Sequence, residues 1–143
     1  MTIDGGLRKM FREKMPEAQW TSIETGGTGL GVPDVEFCFP VNRQGWIEFK
    51  KTSAIAVKIA PEQVSWLERR VRVGGRCWLI VRKQADAGLR RARVDALYLY
   101  PGAKARAVLL NGLLTPPTAI YEGGPGRWDW DLIREYLKNA PPQ

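Results

Sequence analysis

Apolar residues recur at two different periods along the chain, and the switches between them outline its elements. Over residues 7–15, Leu7, Met10, Phe11 and Met15 sit at helical spacing with basic residues between them, which predicts an amphipathic helix ended by Pro16. Residues 20–24 alternate weakly and run into the glycine-rich stretch 25–29, TGGTG, a loop signal. Period-two alternation then predicts strands over 34–39 and 46–50, joined through the polar connection 40–45 as an antiparallel hairpin. In the first strand Val35, Phe37 and Phe39 share the core face, and Asp34, Glu36 and Cys38 share the other. In the second, Ile47 and Phe49 face the core while Glu48 and Lys50 point away from them.

Pro61 followed by Glu62 reads as a helix start, with Val64, Trp66, Leu67 and Val71 as its apolar stripe and Gly74-Gly75 as its stop. The run 77–81 (CWLIV) predicts a buried strand, 94–100 another, and 130–137 a last helix capped by Asp129. Residues 105–114 are apolar but fit a strand or a short helix equally well. The order of elements predicts an α/β fold, a mixed β-sheet flanked by helices. A length of 143 residues suits a single domain. Its core is expected to span about residues 5–100, with a C-terminal extension over about 101–143 that serves dimerisation or substrate selection.

Charge changes this picture by pointing to a partner. Nine Lys or Arg lie between Arg69 and Arg93 against a single acid, Asp86, so this stretch holds essentially the whole net charge of +7. Arg82 and Lys83 lie at its centre. Such a segment beside a nearly neutral body is expected to bind a polyanion, DNA above all. A solvated basic surface without a partner is the plainer alternative. No apolar run long enough for a membrane span is present, which leads us to expect a soluble, cytoplasmic or nucleoid-associated protein, of a kind that phages and mobile elements encode.

The absence of histidine removes Ser-His-Asp and Cys-His nucleophiles, His-liganded zinc and histidine general bases. Cys38 and Cys77 have no paired spacing and read as small buried hydrophobes. Carboxylates, lysines and a metal are left to carry chemistry. Hairpin pairing can bring Asp34 next to Glu48, fourteen positions on, and strand alternation puts Lys50 on the same face as Glu48. Two adjacent carboxylates repel, a cost that a divalent cation offsets. Hard Mg²⁺, or Mn²⁺ in its place, would take Asp34, Glu48 and the backbone carbonyl of Phe49 as ligands, and Lys50 would orient or deprotonate an attacking water. Lys51 points to the opposite face and reads as a snorkelling lysine or a phosphate contact. Thr25, Gly27 and Thr28 in the glycine loop could bring backbone amides to a phosphate. The competing reading is two solvated strand faces with an incidental Glu-Lys pair.

The segments GVPDVEF, WIEFKK and IAPEQVSWLERRVRVGGRCWLIVR, in that order, resemble the PD-(D/E)xK nuclease superfamily, and within it small VRR-NUC-type and Holliday-junction-resolvase-like nucleases. The resemblance covers about residues 26–82. It implies a restriction-endonuclease-like fold and a metal-dependent endonuclease acting on double-stranded or branched DNA, with a homodimer to make paired cuts. By it, Asp34 and Glu48 are metal ligands, Lys50 the catalytic lysine and Gln63 a polar site residue from the following helix. It also implies an acid from the first helix. Glu13 is a candidate for that acid, with Asp4, Glu17 and Glu24 as alternatives, and an ordinary solvent-facing glutamate is the plainer reading of Glu13. A non-catalytic nucleic-acid-binding module on the same fold, or a restriction-type enzyme, would share most of these features.

Overall fold

The computed structural model describes residues 4–24, 30–85 and 93–140. Six strands form one mixed sheet in the order β1 (Gln19–Ser22), β2 (Val35–Phe39), β3 (Arg43–Thr52), β4 (Cys77–Ala85), β5 (Val94–Pro101), β6 (Ala119–Tyr121). Every neighbouring pair is antiparallel except β3 and β4. That parallel step requires a crossover, supplied by α2 (Pro61–Arg72). The predicted mixed sheet flanked by helices is therefore present.

Both faces of the sheet are covered, because β3 and β4 carry apolar residues on both sides. On one face Phe37, Ile47, Phe49, Trp78 and Ile80 pack under α1 (Leu7–Lys14) and α4 (Trp130–Asn139). On the other, Leu79, Val81 and Tyr100 pack under α2 and α3 (Ala105–Asn111). Residues 105–114 thus resolve as α3 followed by a 3-10 turn, Gly112–Leu114. Sequence periodicity missed β6, which has only three residues. The segment expected to be an appendage is built into the packing. Ile133 and Leu137 of α4 are fully buried in the α1 layer, and Arg134 bonds Glu17 and the Lys14 carbonyl.

The hairpin is tighter than the predicted six-residue connection. Phe39 pairs with Arg43, so the turn is Pro40–Asn42, with Val41 and Asn42 both in the left-handed region (φ 67° and 56°). Asparagine tolerates that conformation, whereas valine there hides the turn from a propensity reading. The basic stretch also divides. β4 runs on past the predicted 77–81 to Ala85, so Arg82 and Lys83 belong to this strand. No helix among the described residues is long and apolar enough to cross a membrane.

Candidate active site

The β2–β3 ladder explains why the two carboxylates meet. Val35 pairs with Ile47, so Asp34, one step further, lies opposite Glu48. The Asp34 carbonyl accepts from Ile23 N, just beyond β1 (2.9 Å), so its backbone turns away from β3. Asp34 and Glu48 therefore form a non-hydrogen-bonded cross-strand position, where side chains approach most closely, with Cα atoms typically about 4.5 Å apart. Beyond them the ladder stops. The residue that would face Phe49 is Pro33, which has no N–H to give. Asp34 Oδ2 takes the Phe49 N–H in its place (2.9 Å). The Phe49 carbonyl points the same way as its N–H and finds no donor on Pro33.

Glu48 is only 1% exposed, an unusual place for a carboxylate. Its Oε2 accepts from Gln63 Nε2 (3.2 Å) and lies 3.5 Å from Lys50 Nζ. Its Oε1 is buried with no hydrogen-bond partner. Desolvation first, and the neighbouring Asp34 charge second, push the Glu48 pKa up to about 8, against the pull of Lys50. Burial thus favours the protonated form of Glu48 in the free protein. A proton shared with Asp34 would satisfy Oε1, and so would a cation.

Gln63 is positioned by its own helix. Ala60, at the N-cap, has no acceptor side chain, so only half a capping box forms: Gln63 Oε1 accepts from Ala60 N (3.0 Å). This leaves the amide's NH₂ group to face Glu48. Gly31 brings the helix and the Pro33–Asp34 turn together. With φ +87°, its absent Cβ would lie 2.2 Å from the Glu62 carbonyl oxygen. Only glycine permits both that conformation and that approach.

Asp34, Glu48, Lys50 and Gln63 are therefore gathered on the α2 face of the sheet. Lys50 and Gln63 also border an open groove of about 530 Å³ that includes Lys51 and Lys58. Lys83 stands on the same face as Lys50, since Val81 pairs with Lys50 and Thr52 with Lys83. Lys58 escaped the sequence reading, although the alternation Val57-Lys58-Ile59 was a usable signal. Thr25, Gly27 and Thr28 lie outside the described residues.

Two expectations fail. Glu13 is not brought to this group: it is exposed on α1, across the sheet, 3.9 Å from Lys9. The alternative acids have other partners, since Asp4 accepts from Gly6 N and Arg8 N to cap α1, and Glu17 pairs with Arg134. Glu24 is exposed beyond β1. Among the described residues no three acids or cysteines cluster as metal ligands. The donors available are two carboxylates and a peptide carbonyl, a set that suits Mg²⁺, which keeps several waters of its own.

Arg82 is not a free DNA contact. Its side chain is 11% exposed and makes two bonds to Asp95 (2.9 and 2.7 Å) and one to the Gly5 carbonyl (2.7 Å), over the Trp128 ring. Arg76 likewise turns inward to the Gln44 and Leu137 carbonyls. The guanidinium of Arg70 lies on Trp66 and Trp46, 4.5 and 5.3 Å from their centroids. Among the described residues of this stretch, Arg70, Arg76 and Arg82 are thus engaged by different partners and do not form one basic face. Cys77 is buried, its thiol pushed up to about 11 by desolvation, as expected of an inert core residue. No family model, curated protein or solved structure matches the chain.

Proposed function

We propose that this chain is a divalent-cation-dependent DNA endonuclease with a restriction-endonuclease-like fold. The observation that carries the reading is Glu48: a carboxylate sealed from water, facing Asp34, with one oxygen held by Lys50 and Gln63 and the other unpartnered. Such an arrangement is costly unless something positive completes it. Asp34, Glu48 and the Phe49 carbonyl would hold Mg²⁺ or Mn²⁺. When bound, the ion supplies Lewis acidity and a water acidified toward neutral pH.

The chain's own residues do the rest. Asp34 holds the turn to β3 through Phe49 N, which fixes its second oxygen relative to Glu48. Gln63 keeps the Glu48 carboxylate in one orientation, and Gly31 keeps Gln63 within reach. Lys50 lies at the border between the acids and the groove, where its ammonium can orient an attacking water and stabilise charge developing on the phosphorus centre. The groove lysines give the substrate's phosphates a place to rest.

Cleavage assays on linear duplex, flap and four-way-junction DNA with Mg²⁺ and Mn²⁺ test this reading and define the substrate. Metal-dependent cleavage, lost in Lys50→Ala while DNA binding survives, is the expected outcome. DNA binding that needs no metal, with no cleavage of any substrate, would instead establish a binding module.

A further inference from the structure

We propose that Lys58 forms a phosphate-binding site for the nucleotide adjoining the cleaved bond. The identity of that phosphate rests on the nuclease reading. The site itself rests on its placement.

The segment between β3 and α2 is anchored at several points. Thr52 Oγ1 donates to the Ala56 carbonyl (2.7 Å) and accepts from Ala54 N (3.1 Å). Leu113 N donates to the Ile55 carbonyl (2.8 Å). Gly112, at φ +59°, lies so close that a Cβ there would be 2.2 Å from the Ile55 oxygen. Val57 and Ile59, 5% and 4% exposed, are set into the α2–α3 core. Lys58 between them can only point outward, and it lines the same groove as Lys50 and Gln63. It is a cation on a braced support, with the 3-10 turn after α3 as the brace.

Its charge is uncompensated. Among the described residues Lys58 has no carboxylate partner. The Lys50 ammonium borders the same groove as that of Lys58, and an anion between the two removes their mutual repulsion. A phosphodiester next to the scissile one would carry that charge into the groove and set the direction in which the strand runs from the acids.

The test is fluorescence anisotropy of a labelled DNA duplex in EDTA, over about 50–200 mM salt, with wild type, Lys58→Ala and Lys58→Arg. Lys58→Ala should lower the slope of log K against log salt by about one and weaken binding about eightfold near 0.1 M salt, with Lys58→Arg restoring both. Competition by inorganic phosphate distinguishes a free-anion site: displacement of DNA at equimolar phosphate would overturn the proposal. An unchanged slope in Lys58→Ala would overturn it as well. If wild type cleaves nothing but the slope still falls, the phosphate site stands and the nuclease reading fails.

Discussion

Replacing Glu48 by glutamine should make the metal-free protein more stable at alkaline pH, although it removes an ion pair. In the folded state the Glu48 pKa is raised from its ordinary 4.5 to about 8. Between these values the native state keeps a proton that the unfolded chain has released, so stability falls as pH rises through the window. At about 1.4 kcal/mol per tenfold, the full shift corresponds to a loss of at most about 5 kcal/mol between pH 4.5 and 8. Glutamine preserves the shape and can still accept from Lys50, but it has no proton to lose. The window is clean because the chain has no histidine, the side chain that ordinarily titrates there. Urea unfolding of wild type and Glu48→Gln in EDTA from pH 5 to 8.5 measures the effect. The wild-type curve should slope downward and the variant's should be nearly flat, so that the variant is the more stable by a few kcal/mol near pH 8. Parallel curves would refute the reasoning, since Glu48 would then ionise as freely in the fold as outside it.

Asp34 separates chemistry from architecture. Asp34→Asn keeps an acceptor for Phe49 N and should abolish cleavage with little loss of stability, whereas Asp34→Ala strands that N–H and should cost about 1–3 kcal/mol by denaturant unfolding. Arg82→Ala breaks the buried pair with Asp95 and should destabilise the fold by about 3–5 kcal/mol, with no change in the salt slope of DNA binding. Gly31→Ala should push α2 from the Pro33–Asp34 turn, lowering turnover at least tenfold while far-UV circular dichroism stays native. Unaltered turnover in that variant would mean that Gln63 does not depend on this contact.

The acids were legible in the sequence because strand alternation and hairpin pairing are both set by local rules. Asp34, Glu48 and Lys50 needed only a period of two and one turn. The position of Gln63 came from family resemblance, and its bond to Glu48 depends on how α2 crosses the sheet, which no local pattern encodes. The reading of Arg82 as a DNA contact failed for the same reason. Arg82 and Arg76 look like surface charges until Asp95 and the Leu137 carbonyl, distant in sequence, are folded against them. Alternation also places Glu48 on the face opposite Ile47, but it cannot say that α2 covers that face, and burial is what turns an ordinary glutamate into a strained one.

Calorimetric titration of the metal-free protein with Mn²⁺ tests the central claim most directly. Wild type should bind saturably and release protons at pH 7, and both Asp34→Asn and Glu48→Gln should lose that binding while remaining folded. Binding isotherms identical in wild type and Glu48→Gln would contradict the account.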